Sequence, residues 1–174
     1  RIFDKGHAAE ADARPIAERI ISEELYPVTC EDDDGRLLAS MDGLTMLEDI
    51  GFEHKLWNER LAEQVKAGEL EPHYTVQMDQ QMLVSGAEKI LFMCSDGTEE
   101  NCVWMWYERN EKAIKALIAG WAQFEQDLSN HKPAEPEAPK AEGKAPDALP
   151  ALSVQVQGMV TASNLKEFEA SARA

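Results

Sequence analysis

The sequence feature that most constrains the fold is a proline-dense segment at residues 131–150, HKPAEPEAPKAEGKAPDALP. It holds five of the eight prolines of the 174-residue chain. Proline at this density disfavours a helix, and the intervening alanine, glutamate and lysine leave few apolar groups to bury. We therefore expect a linker there, between a main domain at residues 1–130 and the truncated start of a second module at residues 151–174.

Charge and hydropathy narrow the functional classes. The chain carries 17 basic and 33 acidic residues, a formal net charge of -16, which argues against a general nucleic-acid or anionic-membrane coat. Any DNA contact is therefore expected to be local. No run of about 18 apolar residues predicts a spanning helix.

The chain ends and the cysteines favour a cytoplasmic protein without structural metal. No charged-then-apolar leader opens the sequence, and Arg1 is not an initiator methionine, so we expect part of a longer chain. Three cysteines without C-x-x-C spacing predict neither a disulfide framework nor a zinc or iron-sulfur cluster.

Periodicity within residues 1–130 predicts an α/β (α+β) fold, in which helices flank a central mixed β-sheet. The predicted helices are residues 8–25 (interrupted or restarted near Pro15), 59–67, 73–84 and 110–128. The predicted strands are residues 36–46, 51–57, 89–94 and 102–107, the first two paired antiparallel. In the last helix, six apolar residues at helical spacing are expected to form a buried face: Ile114, Leu117, Ile118, Trp121, Phe124 and Leu128.

Asp42, Glu53 and Lys55 are the residues most suggestive of chemistry. Residues two apart in a strand point to the same face, so Glu53 and Lys55 project together while His54 points away. If the strand that carries Asp42 pairs with the strand that carries Glu53 and Lys55, two carboxylates and one ammonium group lie close together. Such a group predicts a magnesium site beside a base, although an exposed strand face with an ion pair would have the same spacing.

Three segments in order, LLASMDGLT, GFEHKLWNE and YTVQMDQQMLVSGAEKILF, resemble the YqaJ-type viral recombinase and bacteriophage lambda exonuclease family of the PD-(D/E)xK nuclease superfamily. The resemblance runs over about residues 6–128 and includes an upstream G-x-x-x-E at Gly6 and Glu10. It implies a restriction-endonuclease-like nuclease core.

The resemblance also implies roles for individual residues. Asp42 and Glu53 would hold Mg²⁺ or Mn²⁺, with the backbone carbonyl of His54 as a further ligand and Glu10 near a second metal or its waters. Lys55 would activate the attacking water.

A sixth implied residue, Gln77, would position the nucleophile or Lys55. The sequence departs from the family pattern at Met41, which replaces the proline that names the superfamily, and at Asp79, where a polar neutral residue is expected. Asp79 lies two positions from Gln77 and should therefore face another side of the helix.

The remaining polar and aromatic candidates have ordinary structural interpretations. Arg14 and Arg19 follow Glu10 by one and two turns; a contact with a phosphate is one interpretation, and ordinary helix-surface arginines are the one we prefer. Trp104 and Trp106 share a strand face and are expected to cover a helix rather than to stack on bases.

The resemblance implies a divalent-metal-dependent DNA exonuclease that acts on double-stranded DNA ends in phage recombination. Its expected protein partner is a single-strand annealing protein, and the expected assembly is a homotrimer. The expected location is the cytoplasm of a bacterial host. Two alternatives stay open: an inactive nuclease-like or DNA-mimicking protein that binds a protein partner through its acidic surface, and a two-module adaptor.

Overall fold

The computed structural model describes residues 2–132 of the chain. The predicted second module and all but the first two residues of the predicted linker lie outside the described residues. The described elements, in chain order, are α1 (Ile2–Ile21), β1 (Tyr26–Glu31), β2 (Leu38–Leu44), β3 (Ile50–Leu56), α2 (Glu59–Ala67), α3 (Pro72–Ser85), β4 (Lys89–Ser95), β5 (Cys102–Glu108) and α4 (Glu111–Asn130).

The strands form one sheet in the order β1-β2-β3-β4-β5. β3 and β4 run parallel, and the other neighbouring pairs are antiparallel. The parallel pair is buried along most of its length, as expected where helices cover both faces of a sheet. The prediction of a central mixed sheet flanked by helices is therefore confirmed.

Alternation along β4 builds a separate apolar cluster on each face of the sheet. Leu91 and Met93 pack with the small residues of α1, whereas Ile90, Phe92 and Cys94 pack with α2 and α3. Side chains two apart in a strand share a face, so one strand serves both layers.

β2 and β3 pair over a very short stretch. Their antiparallel register holds only at Gly43 with Phe52 and at Leu44 with Gly51. A Cβ on Gly43 would lie 2.9 Å from the Cβ of Leu25, so glycine is required for this close approach. Towards the other end of β2 the ladder stops, which leaves polar side chains to span the gap between the strands.

Two features at the start of the chain differ from what the sequence indicated, one of them a strand for which there was no prediction. β1 was not predicted; it is an exposed edge strand containing Pro27, a position where a missing N–H is tolerated. α1 is not interrupted near Pro15. The proline ring is on the exposed side, while Ala13 and Ala17 are fully buried against the sheet, and this packing holds the helix together.

The predicted buried face of α4 is mostly exposed. Ile114 is buried, but Ile118, Phe124 and Leu128 are 49%, 53% and 61% exposed. The reason is that α4 packs against α3 rather than across the sheet. Only a narrow strip of the surface of α4 is therefore buried. A groove of about 840 Å³, lined partly by Trp121, runs between the two helices.

None of the helices in the described part of the chain combines the length and the apolar character that a membrane span requires.

Candidate active site

Glu53, Lys55 and Gln77 form a closed polar triangle. The ammonium Nζ of Lys55 donates to Glu53 Oε1 at 2.5 Å and to Gln77 Oε1 at 3.1 Å. The amide Nε2 of Gln77 donates to the same Glu53 oxygen at 2.7 Å. The E-x-K spacing on β3 and the residue from α3 are thus brought together, and each of the three side chains contacts the other two.

The second carboxylate oxygen of Glu53 is held by a residue that the sequence reasoning missed. Gln81 Nε2 donates to Glu53 Oε2 at 2.6 Å and to the backbone oxygen of Ser40 at 2.9 Å. Gln81 follows Gln77 by four residues, one helical turn, and this spacing on the same face of α3 was the available signal.

Asp42 lies at the end of the short ladder between β2 and β3. Its Oδ2 accepts a hydrogen bond from the backbone N–H of His54 at 2.8 Å. Burial and, next, the negative charge of Glu53 raise the pKa of Asp42 from 3.8 to about 7. The charge of Glu10 acts in the same direction, whereas the His54 N–H and the Lys55 ammonium act in the opposite one. Two carboxylates therefore share a low-dielectric region without full compensation.

Glu10 joins the site through an arginine. Arg14 donates from its Nη2 to Glu10 Oε1 at 2.9 Å and from its Nε to the backbone oxygen of Asp42 at 3.1 Å. The interpretation of Arg14 as an ordinary surface residue is wrong, because it ties α1 to β2 beside the carboxylates. Arg19, by contrast, pairs with Glu99 at the exposed surface.

His54 and Asp79 point away from the triangle, as expected. The His54 imidazole is buried on the opposite face, with Nε2 2.9 Å from Ser95 Oγ, and burial lowers its pKa to about 4. The ring is therefore neutral at physiological pH. Asp79 is buried too and accepts from the Tyr107 hydroxyl at 3.1 Å. The role of the His54 carbonyl as a metal ligand stays a prediction.

The donor set fits a hydrated hard cation better than an all-protein cage. Within the described residues, no three His, Cys, Asp or Glu side chains form a ready-made metal cluster. Mg²⁺ needs only one or two carboxylates, since it keeps several waters. Burial and the charge of Glu53 raise the pKa of Asp42 although the Lys55 ammonium acts in the opposite direction, so a divalent cation would add positive charge where it favours both ionised carboxylates.

Comparisons with known proteins identify solved structures that have a similar fold. No protein-family model matches the sequence, and no curated protein matches it significantly. The crystal structure of LHK-Exo in complex with dAMP is similar, with a TM-score of 0.64 and 24% identity over 73% of this chain and 68% of that chain.

A second structure agrees with the first. The alkaline exonuclease LHK-Exo from Laribacter hongkongensis matches with a TM-score of 0.54 and 23% identity over 74% of this chain and 72% of that chain. At these identities the likeness shows the fold, so the described domain has the α+β fold of an alkaline exonuclease structure.

Proposed function

We propose that the protein is a divalent-metal-dependent deoxyribonuclease that hydrolyses phosphodiester bonds at double-stranded DNA ends, as an exonuclease of the phage recombination type. The observation that carries the proposal is the contact network in which Glu53, Lys55 and Gln77 meet beside Asp42. The fold that the chain shares with an alkaline exonuclease supports the same proposal.

Asp42 and Glu53 are the proposed ligands of Mg²⁺ or Mn²⁺, with the His54 carbonyl and Glu10 as further contributors. The bound cation would act as a Lewis acid on the phosphate and would neutralise developing negative charge. Glu53 is 3% exposed, so its position is fixed by its hydrogen bonds before any substrate arrives. A prepositioned ligand has little reorganisation to undergo during the reaction.

Lys55 is the residue proposed to contact the attacking water. An ammonium group has three N–H donors, and in the described chain two of them are directed to Glu53 and Gln77. The third would donate to the water or to a phosphate oxygen. The Lys55 side chain is 28% exposed, so this donor can reach a substrate, while Gln77 limits the rotation of the ammonium.

The acidic character of the chain bears on how DNA would be bound. The 33 acidic residues of the chain outnumber its 17 basic ones, so a single copy repels phosphates overall, although each neutralised phosphate requires a cation. A homotrimer that surrounds the duplex would let a few basic residues suffice. A single-strand annealing protein is the proposed partner for the resulting strand, in the cytoplasm of a phage-infected or prophage-carrying bacterium.

A nuclease assay with matched lysine variants tests the proposal. Linear and circular duplex DNA are incubated with the full chain in Mg²⁺, in Mn²⁺ and in EDTA. We expect metal-dependent release of nucleotides from linear DNA only, and a loss of about 10²–10³-fold in Lys55→Ala, the usual effect of removing a donor that stabilises developing negative charge. Lys66→Ala is the control, because Lys66 is exposed and pairs with Glu63 outside the site.

The outcomes separate the candidate functions. Metal-dependent cleavage that survives Lys55→Ala would contradict the proposed mechanism. Absence of cleavage by the wild type, with both metals, would favour the noncatalytic acidic protein that binds a protein partner. Gel filtration of the wild type with and without duplex DNA tests the trimer.

A further inference from the structure

Gln81 connects two strands at the point where their backbone pairing ends. It is 2% exposed, and its single amide nitrogen donates both to the Ser40 carbonyl of β2 and to Glu53 Oε2 of β3. The β2–β3 ladder stops at the pair of Gly43 with Phe52. A side-chain amide therefore bridges the strands that carry Asp42 and Glu53.

The orientation of this amide is determined by its neighbours. The Ser40 carbonyl and the Glu53 carboxylate accept hydrogen bonds and cannot donate them, so the NH₂ group of Gln81 must face them. Its Oε1 is consequently buried with no hydrogen-bond partner among the described residues. A buried unpaired carbonyl oxygen is unfavourable for folding. Such a local conflict is expected where a residue serves a site rather than packing.

The two oxygens of Glu53 have different hydrogen-bond partners. Lys55 and Gln77 both contact Oε1, and Gln81 contacts Oε2. The terminal torsion of a glutamate is broad and roughly two-fold, so bonds to Oε1 alone leave the carboxylate free to turn. The bond from Gln81 removes this freedom.

We propose that Gln81 is a positioning residue that fixes the rotation of the Glu53 carboxylate for metal binding. This inference rests on the proposed metal-dependent function. Gln81 is buried behind Glu53 and acts through it, without contacting substrate. Residues that orient a metal ligand typically contribute 10–100-fold to metal affinity or activity, so removal of the Gln81 donor should weaken Mn²⁺ binding by that factor.

The test compares two glutamine-to-methionine variants of the full chain. Gln81→Met keeps the length of the side chain and removes the donor. Gln64→Met is the matched control, because Gln64 also has a buried Oε1 without a partner and donates to Glu71, away from the site. Mn²⁺ binding is followed by the electron paramagnetic resonance signal of the free ion, and unfolding is measured in EDTA.

We expect the Mn²⁺ dissociation constant to rise 10–100-fold in Gln81→Met and by less than twofold in Gln64→Met. We also expect saturating Mn²⁺ to restore most of the cleavage rate of Gln81→Met, because the chemistry of Lys55 is intact. If Gln81→Met does not fold, Gln81→Asn replaces it: its amide is one methylene too short to reach both acceptors, and the same loss is expected.

Three results would overturn the inference. Equal Mn²⁺ affinity in Gln81→Met and the wild type contradicts a positioning role, as does an equal loss in both methionine variants. In either case a wild type that binds Mn²⁺ and cuts DNA leaves the proposed function standing. A wild type that neither binds Mn²⁺ nor cuts DNA overturns the function and the role of Gln81 together.

Discussion

Replacement of Asp42 by asparagine should make the metal-free protein more stable. Burial and the charge of Glu53 raise the pKa of Asp42 from 3.8 to about 7. This difference corresponds to roughly 4 kcal/mol at 1.36 kcal/mol per pH unit. Because the two carboxylates influence each other, we expect about 2–4 kcal/mol of added unfolding free energy. Asparagine keeps an oxygen that can accept from the His54 N–H, so the backbone contact survives.

The pH dependence has a definite sign. Above pH 7, Asp42 is charged in both the folded and the unfolded chain, and the full destabilisation is present. As the pH falls from about 7 to 3.8, the folded chain takes up the proton first, so the destabilisation decreases. The stability difference between wild type and Asp42→Asn should therefore shrink across this window.

The assay is urea unfolding in EDTA at several pH values, followed by the same measurement in Mn²⁺. Asp127→Asn is the control: it removes one charge from α4, where Asp127 accepts from Gln123. In Mn²⁺ the wild type should gain stability through ligand binding, and Asp42→Asn should gain much less. If Asp42→Asn were no more stable than Asp127→Asn in EDTA near pH 8, the reasoning that burial and the charge of Glu53 disfavour the ionised Asp42 would be refuted.

Three further predictions concern the surroundings of the site. Burial lowers the pKa of His54 from 6.5 to about 4. As the pH falls through this range, the unfolded chain binds the proton before the folded chain does, and the folded state loses stability. His54→Asn should remove up to about 3 kcal/mol of this destabilisation in urea titrations at low pH. Gly43→Ala should lower stability by about 1–3 kcal/mol in the same assay, since its Cβ would lie 2.9 Å from that of Leu25. Arg14→Met should slow cleavage of linear DNA about tenfold, a typical effect of losing a supporting contact, whereas Arg19→Met should not; equal rates in the two variants would exclude a role for Arg14 at the site.

Much of the architecture could be predicted because it depends on local patterns. The helix ends at Gly68 and Gly86 were predicted from glycine, and both residues adopt the left-handed conformation in the structure. The strand with Glu53 and Lys55 followed from period-two patterning, and both side chains contact α3 or each other. These features need only the neighbouring residues of the chain.

Other features depend on which segments meet in space. The apolar face of α4 has helical periodicity, yet Phe124 is 53% exposed because α4 packs beside α3 instead of covering the sheet. Periodicity identifies a face but not what covers it. Arg14 has the spacing of a surface arginine on α1, and only the approach of β2 makes it a partner of the Asp42 backbone.

The residue types and spacings of the sequence determined the helices, most strands and the side chains of the candidate site. The tertiary structure decided that Gln81 holds Glu53, that Asp42 is buried beside a second carboxylate, and that the β2–β3 ladder stops there. The physical reason is that periodicity reflects the conformation of neighbouring residues, whereas hydrogen bonds and pKa shifts of this kind depend on distances between groups that lie 11 to 41 residues apart in the chain.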